Sequence, residues 1–257
     1  LAGAHEDGET CRCYFARELQ ARQAADILME KEMAASVTVE PVQKRDWNEA
    51  WRRGIEPVRL TDTLWVAPRW RPPVVSAGER WIVIEPKMAF GTGHHETTRL
   101  VARAVERLAG TAPLGHVVDV GCGSGILCFS ALAAGARRCT GVDIDPLCLD
   151  NCAENRAENR AHDAHFVIGS LDALGNRGPV ADTVIMNMLL LHSERLFPAV
   201  CALLRPDGRF VWSGLLCKER AYVVSLSRRN GLSLTAESSE NEWWCGEFGN
   251  VGDSVTR

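Results

Sequence analysis

One short stretch restricts the possible folds of this chain more than any other. It reads Val117-Val-Asp-Val-Gly-Cys-Gly-Ser-Gly-Ile-Leu127, an apolar strand followed by three glycines at alternate positions and then by a helix. Glycine is required where a ligand approaches the backbone so closely that a Cβ would clash, and the first turn of a helix offers free N–H groups to a carboxylate. The stretch therefore predicts a strand, loop and helix that bind a small molecule, with a plain tight turn as the alternative.

Two familiar phosphate-binding loops do not fit this stretch. A dinucleotide fingerprint needs Gly-x-Gly-x-x-Gly/Ala, but its last position is Ile126 when counted from Gly121 and Cys128 when counted from Gly123. The P-loop is excluded because no Gly-Lys-Ser/Thr follows. A glycine-rich loop without a phosphate-binding signature suits a nucleoside whose tail is an amino acid.

Three carboxylates accompany the glycine-rich loop. Asp143 ends the next predicted strand, where it could accept two hydrogen bonds from ribose hydroxyls. Asp145 is the alternative, but it precedes Pro146 and is better placed to cap the following helix. Asp119 lies inside the first strand, and it either holds the glycine-rich loop through backbone N–H groups or is an ordinary surface carboxylate.

From Trp81 onward, strand-like and helical segments alternate. Strand-like runs lie at Trp81–Glu85, His116–Val120, Cys139–Asp143, His165–Gly169, Asp182–Asn187, Arg209–Ser213, Leu232–Glu237 and Glu242–Phe248. Such alternation implies a parallel, doubly wound sheet, and the last two runs can only pair antiparallel because their connection is short. We therefore predict an α/β fold with a doubly wound, mostly parallel sheet. This is the layout of class I methyltransferases, whose sheet has seven strands.

The region before Trp81 follows a different pattern. A strand at Cys11–Ala16, a helix at Arg17–Ala34 and a strand at Ser36–Val42 predict a small α/β domain over residues 1–43, which we expect to be truncated. Residues 44–78 are predicted to be a linker that contains a helix at Lys44–Gly54 and a strand at Leu64–Trp70. Residues 79–257 would form the methyltransferase domain.

Several motifs together resemble the ribosomal protein L11 methyltransferase family. Beside the glycine-rich loop they are Ala89-Phe-Gly-Thr-Gly-His-His-Glu-Thr-Thr98, which is the most specific, Asp46-Trp-Asn-Glu-Ala-Trp51, Val142-Asp-Ile-Asp-Pro146, Gly169-Ser-Leu171 and Asn187-Met-Leu189. The resemblance implies an S-adenosylmethionine-dependent enzyme that methylates lysine and α-amino groups of a ribosomal protein, recognised by the small N-terminal domain. Many members have Thr-His-Pro at the position of His94-His95-Glu96, so no role is carried over to His94.

The resemblance assigns cofactor contacts within these motifs. They are Thr98, Gly121, Asp143 and Asn187, to which we add Phe90, Gly123, Gly125 and Ser170. We expect the Gly91-Thr92-Gly93 segment to fold over S-adenosylmethionine, so that Gly93 serves the site and not the core. A histidine of the following pair is expected to form a hydrogen bond there.

Asn187 is also the candidate for positioning the substrate amine. Enzymes that methylate planar amides or adenines typically carry Asn/Asp-Pro-Pro-aromatic at this strand end, whereas Met188, Leu189 and Leu190 follow here. An aliphatic amine needs no stacking platform, which fits lysine or an α-amine. The alternatives are a protein lysine methyltransferase of the electron-transfer-flavoprotein beta-subunit type, a non-catalytic nucleotide-binding module and, for Asn187 itself, a polar strand end.

Composition narrows the partners and the compartment. The formal net charge is −4 and the pI about 6.0, whereas nucleic-acid-binding domains usually have a pI above about 9, so we expect no direct nucleic-acid partner. The apolar runs are shorter than the roughly 18 residues of a membrane span, so no membrane partner is expected. The ten cysteines include no Cys-x-x-Cys, and His94 and His95 project in different directions. We therefore expect reduced thiols, no metal site and a cytoplasmic enzyme.

Overall fold

The computed structural model describes residues 3–8, 10–31, 36–41, 55–86, 91–174 and 178–250. Contacts within the chain divide it into two compact units, Leu1–Ile55 and Glu56–Arg257. The predicted helix at Lys44–Gly54 lies outside the described residues. Residues 56–78, which the sequence predicts to belong to a linker, fall inside the larger unit, and Leu60, Leu64 and Val66 are part of its core.

The described part of the first unit contains a hairpin and a helix. Strands β1 (Gly3–Asp7) and β2 (Thr10–Tyr14) pair antiparallel, and helix α1 (Glu18–Glu30) follows. β2 overlaps the predicted strand at Cys11–Ala16. The predicted strand at Ser36–Val42 is wrong over residues 36–41, which pair with no described strand. An alternating segment becomes a strand only where a neighbour supplies hydrogen bonds, and β1 is the neighbour that β2 uses.

The second unit begins with a small sheet of three described strands. They are β3 (Val58–Arg59), β4 (Leu64–Ala67) and β5 (Arg80–Val83). β3 pairs antiparallel with β4, and β4 pairs parallel with β5. β4 ends before Pro68, because proline cannot donate to a ladder, and is therefore shorter than the predicted strand. The run at Trp81–Glu85, which the sequence pattern groups with the main sheet, forms β5 and belongs to this small sheet instead.

Helices and strands alternate through the rest of the second unit. In chain order they are α2 (Glu96–Ala109), β6 (His116–Val120), α3 (Ile126–Ala133), β7 (Arg138–Asp143), α4 (Leu147–Glu158), β8 (Ala164–Ile168), β9 (Ala181–Asn187), α5 (Leu190–Leu203), β10 (Leu204–Leu216), α6 (Arg220–Arg229), β11 (Leu232–Glu240) and β12 (Trp243–Asn250). Short 3-10 turns lie at Leu171–Leu174 and Cys217–Glu219.

Seven of the described strands form one sheet in the order β11-β12-β10-β9-β6-β7-β8. The five strands from β10 to β8 in this order run parallel, whereas β12 is antiparallel to both β10 and β11. The chain order reverses between β6 and β9, and open α/β sheets bind ligands at such a switch point, beyond the carboxyl ends of the strands. The prediction of a doubly wound, mostly parallel seven-stranded sheet is confirmed.

Hydrophobic layers cover both faces of the main sheet. One layer contains α3, which is apolar nearly all round and buried, and a buried stripe of α2 formed by Leu100, Val101, Ala104, Val105 and Leu108. The other layer is rich in aromatic rings, and Phe197 and Trp212 stack at 4.9 Å between ring centres. This packing fixes α3 behind the glycine-rich loop. No described helix is both long and apolar enough to cross a membrane.

Candidate cofactor site

The glycine-rich loop connects β6 to α3. Gly121, Gly123 and Gly125 have φ angles of 75°, 52° and 80°, a left-handed region that residues with a Cβ rarely adopt. A Cβ on Gly121 would lie 2.9 Å from Met188 Sδ, and one on Gly125 would lie 2.9 Å from the Phe129 ring. Backbone conformation and packing therefore both require glycine at these two positions.

Asp143 ends β7 and contacts the loop. Its Oδ2 accepts a hydrogen bond from the Gly123 N–H at 2.9 Å, and its Oδ1 accepts one from the Asp145 N–H at 3.0 Å. A carboxylate has about four lone-pair positions, so Asp143 keeps acceptor capacity for a ligand. The N-cap of α4 is Pro146, one residue later than predicted, and the Oδ1 of Asp145 accepts a hydrogen bond from the N–H of Leu147, the first residue of the helix, at 2.9 Å.

Asp119 is the second carboxylate beside the loop, and only 1% of its surface is exposed. The surface-carboxylate alternative is therefore wrong. Its Oδ2 accepts a hydrogen bond from the Cys128 thiol of α3 at 3.6 Å, whereas its Oδ1 has no partner among the described residues. Burial raises the pKa of Asp119 to about 7; the hydrogen bond from Cys128 opposes the rise, and the negative charge of Asp143 adds to it. Asp119 therefore titrates close to neutral pH.

Two predicted contacts carry buried polar atoms without a protein partner. Thr98, in the first turn of α2, is 1% exposed, and its Oγ1 has no hydrogen-bond partner in the described part of the chain. The same holds for the buried Oδ1 of Asn187, which ends β9. An unsatisfied buried polar atom costs about 1–3 kcal/mol. A bound molecule that donates a hydrogen bond to each atom would remove that cost.

The two histidines before α2 take part in local hydrogen bonds. His95 is the N-cap of α2, and its Nδ1 accepts a hydrogen bond from the Thr97 N–H at 3.3 Å. Its ring also packs edge-on against Trp243, with 4.9 Å between ring centres. The Nδ1 of His94 lies 3.2 Å from the hydroxyl of Thr92, so a histidine does form a hydrogen bond in this segment.

The segment between Gly91 and Gly93 is tied to the loop and to the core. The Ser124 hydroxyl donates a hydrogen bond to the Gly91 carbonyl at 2.6 Å. Gly93 has a φ of 88°, and a Cβ there would overlap Val66 and come within 3.3 Å of side-chain atoms of Leu60 and Ile126. The expectation that Gly93 serves the site and not the core is therefore wrong, because three core side chains surround it.

We expect Gly93→Ala to lower stability more than Gly78→Ala does. The two glycines have φ angles of 88° and 89°, so the left-handed backbone costs each variant about 1–2 kcal/mol. A Cβ on Gly78 meets no heavy atom of the described residues within 4 Å, whereas one on Gly93 meets Val66, which adds about 2 kcal/mol of overpacking. Chemical denaturation of both variants measures the difference. Equal losses would show that the core does not restrict Gly93.

The main sheet brings most of the predicted contacts to one edge. Gly121 follows β6, Asp143 ends β7, Ser170 follows β8 and Asn187 ends β9, and these four strands are parallel. Ser170 is exposed, and its hydroxyl donates a hydrogen bond to Asp172 Oδ2 at 3.1 Å. Phe90 lies outside the described residues. A nucleoside bound at this edge would lie beside the glycine-rich loop.

Comparison with known proteins decides the family. The family model for ribosomal protein L11 methyltransferases matches residues 4–250. The chain belongs to the ribosomal protein L11 methyltransferase family. It is 37% identical over 219 residues to the family member of Geobacter sulfurreducens, covering 84% of this chain and 70% of that relative. It is 33% identical over 243 residues to the member of Chromohalobacter salexigens, covering 95% and 79%.

A solved structure of the same family supports the fold. The crystal structure of the ribosomal protein L11 methylase from Lactobacillus delbrueckii subsp. bulgaricus matches with a TM-score of 0.69 and 26% sequence identity. The match covers 76% of this chain and 99% of that chain. The chain is therefore a class I methyltransferase of the ribosomal protein L11 methyltransferase family, and the resemblance seen in its motifs is confirmed.

The fold and the family imply S-adenosylmethionine as the cofactor, and the residues at the sheet edge fit it. The glycine-rich loop leads from β6 into the first turn of α3, where free N–H groups can hold a carboxylate. Asp143 retains acceptor capacity for the hydroxyls of the ribose. Thr98 Oγ1 and Asn187 Oδ1 are buried acceptors that lack a partner among the described residues. Asp143 would hold the ribose, and the loop at the start of α3 would hold the amino-acid end.

The sequence reasoning missed a group of asparagines behind the loop. Asn155 donates to the carbonyl of Ser124, and Asn159 forms hydrogen bonds with the backbone of Val83. The signal was present, because Asn151, Asn155 and Asn159 are spaced by four residues, which places them on one face of a helix. Three polar side chains on the inward face of a helix would have been a reason to look for buried partners.

Proposed function

We propose that this chain transfers methyl groups from S-adenosylmethionine to lysine and α-amino groups of ribosomal protein L11. The family match over residues 4–250 supports the substrate, because the relatives are named as ribosomal protein L11 methyltransferases. The observation that supports an amine acceptor is the end of β9. There Asn187 Oδ1, which has no partner among the described residues, is followed by Met188 and Leu189 instead of a stacking platform.

The proposed chemistry requires a neutral amine next to the cofactor. When bound, S-adenosylmethionine supplies a methyl group on a positively charged sulfur, which a neutral amine can accept by direct displacement. A lysine side chain has an ordinary pKa near 10.4, and apolar surroundings lower the pKa of an amine by desolvation. Leu189 and Leu191, which are 52% and 70% exposed, provide apolar surface directly after Asn187. Asn187 would accept a hydrogen bond from the amine and so orient its lone pair.

Different parts of the chain would recognise the substrate and carry out the reaction. Residues 1–43 would recognise the ribosomal protein, and the larger unit, which includes residues 56–78 of the predicted linker, would bind the cofactor and carry out transfer. Recognition of a whole protein needs a surface of about 800 Å² per partner, which a second region helps to supply. Because the proposed substrate is a ribosomal protein, we propose that the reaction takes place in the cytoplasm.

Methylation of purified ribosomal protein L11 tests the proposal. The chain is incubated with isotopically labelled S-adenosylmethionine and L11, and intact-mass and peptide mass spectrometry follow. We expect label on lysine side chains and on the α-amino group of L11, and none when L11 is replaced by electron-transfer-flavoprotein beta subunit. Preferential labelling of the flavoprotein subunit would favour the other lysine methyltransferase class. Cofactor binding without turnover on any of these proteins would favour a non-catalytic module.

A further inference from the structure

Helix α4 presents polar side chains to the interior of the second unit. Asn151 and Asn155 are 1% and 0% exposed, and Asn159 lies one turn further along the same face. Buried amides are retained in folded proteins when they satisfy other buried polar groups. The partners of these asparagines therefore indicate what the face of α4 holds in place.

Asn155 links the glycine-rich loop to the chain that follows β5. Its Nδ2 donates hydrogen bonds to the Ser124 carbonyl at 3.0 Å and to Asn151 Oδ1 at 3.3 Å. Its Oδ1 accepts a hydrogen bond from the Glu85 N–H at 2.9 Å. Both N–H groups and the oxygen of the amide are thus used, and two of the three bonds go to backbone atoms of distant segments.

Ser124 is held from two sides. Asn155 donates a hydrogen bond to the Ser124 carbonyl. Ser124 is 1% exposed, and its hydroxyl donates a hydrogen bond to the Gly91 carbonyl at 2.6 Å. Ser124 stands between Gly123 and Gly125, both of which have positive φ angles. Glycine loses more conformational entropy on ordering than any other residue. The bonds of Ser124 restrict the part of the loop that is intrinsically the most flexible.

We propose that Asn155 and Ser124 are positioning residues for cofactor binding. They hold the glycine-rich loop in its binding conformation before the cofactor arrives. The inference rests on the proposed function insofar as that function requires S-adenosylmethionine to bind at this loop. A loop that is ordered in advance loses less conformational freedom when its ligand binds, and affinity rises accordingly. Neither residue needs to touch the cofactor for this effect.

Asn159 provides a matched control on the same helix. Its Oδ1 accepts a hydrogen bond from the Val83 N–H at 2.8 Å, and its Nδ2 donates to the Val83 carbonyl at 2.6 Å and to the Asn155 carbonyl at 2.7 Å. Asn159 therefore supports β5 and α4 through as many bonds as Asn155 makes, but among the described residues it has no hydrogen bond to the glycine-rich loop. Its loss should reduce stability without disturbing the loop.

Calorimetric titration with S-adenosylmethionine and with S-adenosylhomocysteine tests the inference, at a temperature where circular dichroism shows every variant to be folded. We expect Asn155→Ala and Ser124→Ala each to raise Kd about tenfold, the effect of losing roughly one buried hydrogen bond. The increase in Kd of the double variant should be smaller than the product of the two single increases, because both hydrogen bonds restrain Ser124. Hydrogen exchange of the loop amides without ligand should be faster in both single variants. Asn159→Ala should bind within about twofold of the unmodified protein.

Three results would overturn the inference. One is binding by Asn155→Ala and Ser124→Ala within about twofold of the unmodified protein. Another is an equal loss of affinity in Asn159→Ala, which would make the effect one of general stability. The third is unchanged hydrogen exchange in the loop. Ser124→Ala removes only a hydroxyl, so it gives a result even if Asn155→Ala does not fold. Failure of the unmodified protein to bind S-adenosylmethionine would instead overturn the proposed function.

Discussion

Asp143→Ala is expected to weaken S-adenosylmethionine binding by at least about a hundredfold while leaving the protein folded. Two hydrogen bonds from ribose hydroxyls to a carboxylate contribute about 1.5–3 kcal/mol each, and about 1.4 kcal/mol corresponds to a factor of ten. The structure adds a second cause, because Asp143 Oδ2 also accepts a hydrogen bond from the Gly123 N–H at 2.9 Å. The variant would therefore lose both the ribose acceptor and one restraint on the loop.

Asp145→Ala is the matched control for this prediction. Asp145 lies two residues further on, and its carboxylate accepts a hydrogen bond from the Leu147 N–H at the start of α4. Its removal should cost about 1 kcal/mol of stability and leave the Kd for S-adenosylmethionine unchanged. Calorimetric titration measures both variants. A folded Asp143→Ala variant that binds as tightly as the unmodified protein, or an Asp145→Ala variant that loses the affinity instead, would exclude Asp143 as the ribose ligand.

Periodicity made the main sheet predictable, because apolar strands and amphipathic helices repeat over a long stretch of chain. The glycine-rich loop was also predictable, since three alternate glycines between a strand and a helix have few other uses. The local alternation of apolar and polar residues gave wrong predictions where the neighbouring strand decides the pairing. Residues 36–41 lie in an alternating segment but pair with no described strand, and the run at Trp81–Glu85 forms β5, which pairs with β4 and not with the main sheet.

The parts of the site that were missed depend on contacts between distant residues. Asn155 meets Ser124 across a separation of 31 residues and Glu85 across 70. Gly93 is restricted by Val66, which no spacing within its own motif reveals. Motifs identify candidate functional residues, whereas contacts in the folded protein determine whether a residue contributes to ligand binding, to the conformation of the loop or to the core. Gly93 and Asn155 show that this division cannot be read from the motif alone.

Asp119 leads to a prediction about stability and pH. Its carboxyl has an ordinary pKa of 3.8 in the unfolded chain and a pKa of about 7 in the folded protein. Below the unfolded value both states are protonated, so the group has no effect on stability. As pH rises towards 7 the unfolded chain gives up the proton first, and the folded state is progressively penalised. Above pH 7 the penalty is complete, at about 4 kcal/mol for a shift of roughly three pKa units.

Asp119→Asn keeps the size of the side chain, retains an oxygen that can accept the hydrogen bond from Cys128, and removes the charge. We therefore expect the variant to be more stable than the unmodified protein at alkaline pH, with an advantage that grows by about 2–3 kcal/mol between pH 5 and pH 8.5. Urea denaturation across this range, without cofactor, measures the difference. An advantage that stays constant or shrinks with rising pH would show that Asp119 is ionised throughout.

Asp182→Asn is a control with the opposite sign. Desolvation tends to raise the pKa of Asp182, but hydrogen bonds from the His116 N–H and from Arg205 outweigh it and hold the pKa below its ordinary value. Its stabilising effect is present above the unfolded pKa and is lost only as pH falls through the lower folded value. Asp182→Asn should therefore destabilise the protein at both pH 5 and pH 8.5, opposite in sign to Asp119→Asn. A carboxyl that loses its proton within that interval, as we expect of Asp119, produces instead a stabilising effect of the Asn substitution that grows with pH.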